Sequence, residues 1–170
     1  MDALTIKNII IGILIFDFIV ERLLDYLNIK NLSAALPANV ANVYEKSEYL
    51  KSQKYQKEKE KTSQYESFFQ FGLFLVLLFQ GYLGGLYDYI ASYVEASSAL
   101  SNYSFYVSNL LFFGVLFIVS DILSAPFSIY NTFVIEEKYG FNKSTAKLFI
   151  MDKIKGYVLA IIIGGLVISL

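Results

Sequence analysis

Four long apolar runs divide the chain, separated by stretches of very different polarity. The first covers about residues 4–28 and carries IIIGILIF before a charged second half. The second, about 68–93, reads FFQFGLFLVLLF and then GYLGGLYDYI. The third, about 103–130, contains LLFFGVLFIVS and meets Pro126 near its end, and the fourth, about 147–170, finishes with GYVLAIIIGGLVISL. None of these runs alternates polar with apolar positions, so strands fit them poorly. As helices, they are long enough to cross a hydrocarbon core of about 30 Å. The pattern predicts an all-α, polytopic integral membrane protein, its four transmembrane helices forming part of a larger helical barrel or bundle. The first run starts too soon after Met1 for a basic leader and has no small-residue cleavage site, so it reads as a retained membrane helix.

Lysine placement gives an orientation. Lys30, Lys46, Lys51, Lys54, Lys57, Lys59 and Lys61 lie between runs one and two, in a connection over about 30–66. No Lys or Arg occurs from Gly81 to Leu110. Lys138, Lys143 and Lys147 return in the connection over about 131–146, followed by Lys153 and Lys155. Basic residues near helix ends stay on the cytoplasmic side. The expected topology therefore has the N-terminus outside and the first and third connections in the cytoplasm. The membrane would be the plasma membrane in a prokaryote or the endoplasmic reticulum in a eukaryote. Within the first connection, charges of both signs alternate while Tyr44, Leu50 and Tyr55 recur near helical spacing, which predicts a polar helix running into the second run. The Ser33–Ala35 segment and Pro37 break the chain before it. Such a helix is either solvated all round or touches anionic headgroups.

Composition sharpens the class. Of 170 residues, 56% are hydrophobic and only 17% charged, where soluble domains carry about a quarter. Mean hydropathy is +0.51. The formal net charge of -1 conceals the segregation of sign along the chain. There is no Cys and no His, which excludes disulfides, thiol chemistry, histidine proton transfer and ordinary zinc ligation within these residues. No cofactor is expected in this chain and no nucleic acid as a partner. The lipid bilayer is the expected first partner.

Ionisable residues inside apolar runs carry more information than those outside. Asp17, Glu21 and Asp25 recur at i, i+4 and i+8, on one helical face. Each costs about 2.5–3.5 kcal/mol at a membrane centre, so this face avoids lipid. Asp25 suits an interfacial position, with Arg22 three residues before it. Asp17 and Glu21 are candidates to face an internal cavity. Gln70, Gln80, Asp88 and Asp121 stand as isolated polar positions for which an interhelical hydrogen bond is the simplest explanation. Gly81, Gly84 and Gly85 either permit close packing or break the helix before Leu86.

The connection after the third run reads NTFVIEEKYGFNKST, Asn131 to Thr145. Gly140 and Asn142 suit a turn. The adjacent Glu136 and Glu137 would diverge by about 100° on a helix and do not form a facing acid pair. The stretch Pro126–Thr145, PFSIYNTFVIEEKYGFNKST, closely resembles the signature loop of the type I CAAX prenyl proteases, the Ste24-type integral membrane zinc metalloproteases. YEKSEYLKSQKYQKEK, Tyr44 to Lys59, is similar to the segment between that family's first two membrane helices. The resemblance runs from about Leu36 to Lys155.

That resemblance implies an enzyme with about seven transmembrane helices around a large chamber, acting on peptide or prenylated-protein substrates. Its zinc would be held by two histidines of H-E-x-x-H and a downstream glutamate. This chain has no His, so no catalytic or metal-ligand position is assigned within it, and it should be inactive alone. The expected role is a noncatalytic membrane portion, cut within its fourth helix, that forms chamber wall and supports a catalytic region elsewhere in the same protein or on a separate chain. In that role Phe133, Tyr139 and Phe141 would anchor the loop, while Glu136, Glu137 and Asn142 make polar contacts to downstream elements. The alternative is a stand-alone four-helix membrane interaction or assembly protein derived from the same fold.

Overall fold

The computed structural model describes residues 2–32 and 45–169. Ser33–Ala35, Pro37 and Tyr44, invoked above as the break and start of the first connection, lie outside the described residues. Five α-helices make up the described chain: α1 (Ala3–Asn31), α2 (Lys46–Phe79), α3 (Tyr82–Ala96), α4 (Ser104–Tyr130) and α5 (Ala146–Ser169). A 3₁₀ turn, Ser101–Tyr103, precedes α4, and a π-helical segment, Asn131–Glu136, follows it. The described residues contain no strand. The chain divides into two compact units, Met1–Tyr65 and Glu66–Leu170.

In the first unit, Asp2 caps α1. Its Oδ1 accepts the Thr5 backbone N–H at 2.9 Å, which satisfies one of the unpaired donors at a helix start. Hydrogen bonds from Thr5 hold the Asp2 carboxyl below its ordinary range. Arg22 joins Asp25 at 2.9 Å and Glu21 at 3.5 Å, and its guanidinium lies 5.3 Å from the Phe18 ring centre. The polar half of α2 is held by pairs one turn apart: Gln56 donates to Glu60 at 2.7 Å, and Lys59 to the Tyr55 hydroxyl at 3.3 Å. Such i,i+4 pairs support a helix with little apolar surface to bury. Residues 46–66, expected to belong to a connection, are thus the first part of α2, in the form of the polar helix that the charge pattern predicts.

In the second unit, the run expected as one helix over about 68–93 is two helices, a correction to the reading of the pattern. α2 and α3 meet at a 67° bend. Gly81 causes it, with φ 76°. That left-handed conformation is open to glycine and costly to other residues, and it interrupts the helical hydrogen-bond ladder. Gln80 N–H still reaches Val76 O at 3.0 Å, and Gly85 N–H restarts the ladder on Gly81 O at 3.0 Å. α3 then packs along α4. Ile90 and Val94 are buried on α3, Ser108 is buried on α4, and the Tyr87 and Phe112 rings meet edge to face at 5.7 Å. A serine at this position leaves room for close approach of the backbones.

α4 is the hub of this unit. The apolar end of α2 meets it through Gln70, whose Nε2 donates to Ser124 Oγ at 2.5 Å, and through Phe69 and Phe127, ring centres 6.0 Å apart. α5 packs on α4 from the far side of the turn. Pro126 sits inside α4 without ending it, because freed backbone groups in an apolar helix can be re-satisfied by neighbours and by local π geometry. The connection expected over about 131–146 is corrected accordingly: its first six residues are the π-helical extension of α4. Among the described residues, the stretch Ser101–Glu136 is long and apolar enough to cross a membrane by length and composition, and α2 with α3 qualifies as one bent span.

Candidate functional site

The turn between α4 and α5 is built from the backbone outward. Helical geometry closes at Gly140, φ 69°. Gly140 N–H reaches Glu137 O at 3.0 Å and Phe141 N–H reaches Glu136 O at 2.8 Å. This pair of bonds with a left-handed glycine is the Schellman motif, which satisfies carbonyls left open at a helix end. Asn142 then ties the two sides together. Its Nδ2 donates to Glu137 Oε2 at 2.9 Å, and its Oδ1 accepts the Ser144 N–H at 2.7 Å. Thr145 opens α5, its Oγ1 accepting the Leu148 N–H at 3.2 Å.

Six of the residues proposed from the sequence lie in or beside this turn. Phe133 packs on Phe149 of α5, ring centres 5.7 Å apart. Tyr139 and Ile135 are buried, and Lys138 lies 5.3 Å from the Tyr139 ring centre. Phe141 remains 42% exposed. Glu136 supplies its backbone carbonyl to the motif, while Glu137 is exposed and holds Asn142. The structure brings Glu137 and Asn142 together. Asp17 and Glu21, on α1, are exposed in their own unit.

A second polar centre lies between α4 and α5. Asp121 accepts from Lys153 Nζ and from the Tyr157 hydroxyl, each at 2.5 Å. The Asp121 and Lys153 side chains are both 24% exposed. Lys153 and Tyr157 went unrecognised as functional partners because they lie 32 and 36 positions from Asp121. A charge inside one apolar run calls for an opposite charge inside another, and that rule would have paired Asp121 with Lys153. Of the other isolated polar positions, Gln70 has an interhelical bond, while Gln80 and Asp88 are exposed.

No group of three His, Cys, Asp or Glu capable of holding a metal exists among the described residues. The donor set does not fit zinc, which takes nitrogen and sulfur ligands supplemented by carboxylates.

Long helices, apolar surfaces exposed along α1, α2, α4 and α5, and charges paired between helices define a helical membrane protein. The chain belongs to the family described as the CAAX prenyl protease N-terminal region with five membrane helices, which matches residues 25–170. It is 32% identical over 96% of its length to CAAX prenyl protease 1 of Saccharomyces cerevisiae, and 29% identical over 98% to the CAAX prenyl protease 1 homolog of Arabidopsis thaliana. It spans 37% and 39% of those relatives. The crystal structure of S. mikatae Ste24p superimposes with a TM-score of 0.79 at 31% identity, covering 96% of this chain and 38% of that one.

Proposed function

We propose that this chain forms the N-terminal, noncatalytic membrane portion of a zinc-dependent CAAX prenyl protease-like endopeptidase. Its helices contribute chamber wall, and the turn from Glu136 to Thr145 docks the catalytic region, carried by the same protein or by a separate chain. The zinc and the residues that hold it belong to that region. Four spans cross the bilayer: α1, the apolar part of α2 together with α3, α4, and α5. The N-terminus is outside, and the polar part of α2 and the α4–α5 turn are cytoplasmic. Asp17 and Glu21 face the interior in the assembled enzyme. The substrates are peptides or prenylated proteins.

The observation that carries this reading is the Asn142 bridge. One side chain fixes both arms of a turn whose Phe141 ring stays 42% exposed. A rigid turn presenting a large apolar side chain suits a protein contact, where full burial of such a side chain is worth about 1.5–3 kcal/mol. In the full-length protein, Phe141→Ala and Asn142→Ala should each lower peptidase turnover about tenfold at matched abundance, with zinc still bound. Wild-type turnover in both variants would remove the docking role.

A further inference from the structure

Several polar side chains in the first half of α2 are tied to their own helix, one turn away. Gln56 donates to Glu60 and Lys59 to the Tyr55 hydroxyl. Lys54, Lys57 and Lys61 differ. Spaced i, i+3 and i+7, they fall on one face of the helix. All three are exposed, and the exposed Tyr65 extends the line at i+11. Among the described residues, none of the three makes an ion pair or a hydrogen bond. Glu58, at the edge of this face, is half-buried, so the exposed stripe itself carries positive charge alone.

We infer that this stripe docks an acidic surface of the catalytic region, an inference that rests on the peptidase reading above. Height above the bilayer selects protein over lipid as the occupant. α2 has neither Gly nor Pro from Lys46 to Phe71, so it contains no break that would lay its polar half on the membrane surface. The apolar run begins at Phe68, seven positions after Lys61, eleven after Lys57 and fourteen after Lys54. At 1.5 Å per residue these are about 10, 16 and 21 Å of helix. Headgroups fill only about 5–7 Å outside the hydrocarbon, and their field fades within a Debye length of about 8 Å. Lys61 lies within that reach and Lys54 lies beyond it. The bilayer can therefore cover only the lower end of the stripe, whereas a protein surface can cover all of it. Charge gives the sign of that surface. Like charges one turn apart weaken a helix, and facing carboxylates remove the cost. A helix polar all round also suits a bridge between domains, and the chain spans only 37% and 39% of its yeast and Arabidopsis relatives.

The test uses the full-length protein in nanodiscs and a carbodiimide, which joins an ammonium directly to a carboxylate it touches. Peptide mapping should find Lys54, Lys57 or Lys61 joined to Asp or Glu outside residues 1–170. Acetylation of the three lysines by an N-hydroxysuccinimide ester should run about fivefold slower than that of Lys46 on the same helix. The slowing should be equal in discs of phosphatidylcholine alone and of phosphatidylcholine with phosphatidylserine. Slowing that requires phosphatidylserine would give the stripe to the bilayer and overturn the inference. Acetylation as fast as at Lys46 in both discs, or couplings that stay within residues 1–170, would overturn it too. Zinc content of the same sample separates this failure from failure of the peptidase reading. Zinc bound without the couplings removes the docking alone, and absence of zinc removes the catalytic region and the docking with it.

Discussion

Asp121 of α4 and Lys153 of α5 form an ion pair across 32 positions of sequence, and the Tyr157 hydroxyl completes the coordination of the carboxylate. Removing one member leaves the other in a poorly hydrated place. Breaking a fully buried pair costs about 3–5 kcal/mol, and at 24% exposure the loss should be nearer the lower end of that range or below it. Asp121→Asn and Lys153→Met should each lower the thermal midpoint in detergent. The exchanged pair, Asp121→Lys with Lys153→Asp, should recover part of the loss. An exchanged pair less stable than either single variant would show that the pairing of charge is not what holds α5 to α4.

Gly140 makes a second prediction, on the turn. A Cβ in the left-handed region costs roughly 1–2 kcal/mol, so Gly140→Ala should destabilise the protein by about that much. Gly140→Asn should cost less, because asparagine tolerates this conformation. Circular dichroism melts of the three proteins in one detergent would rank them, and an alanine variant as stable as the wild type would contradict the capping geometry.

Membrane orientation follows from the lysine bias. With single cysteines introduced at two positions, Ser98→Cys should react with an impermeant reagent applied to intact cells and Lys57→Cys should not. The reverse labelling would invert the topology.

For metal, these 170 residues should retain no stoichiometric zinc after extensive dialysis, because the histidine and cysteine that zinc prefers are both lacking. Elemental analysis would check it. One zinc per chain, lost in Glu136→Gln or Glu137→Gln, would reopen a direct role for these carboxylates.

The helices were legible where hydropathy alone decides them. α1, α4 and α5 overlap most of the runs read over about 4–28, 103–130 and 147–170, because an uninterrupted apolar stretch leaves the backbone few alternatives to a helix. The break after Phe79 was legible only as one of two alternatives for Gly81, Gly84 and Gly85, and the left-handed φ at Gly81 decides between them. Pro126 lies inside α4, near the end of the run read there. The run reads as ending at about residue 130, shortly after this proline, yet the apolar residues Phe133, Val134 and Ile135 continue the helix beyond it in π geometry. In the turn, Gly140 and Asn142 announced themselves by type, whereas the Glu137–Asn142 bond depends on the chain reversing at one particular residue. The Asp121 partners were hidden by sequence distance, since the two helices share no local pattern.

The π segment has a consequence for how the turn is aimed. A π turn accommodates roughly one residue more than the α turn it replaces, and one residue advances an α-helix by about 100°. Deleting a single residue between Asn131 and Glu136 would let the segment relax to α geometry with the composition of the turn intact. The bearing of Phe141 about the α4 axis is thus set by a residue count upstream of it, as the phase of a screw thread sets where its last turn ends.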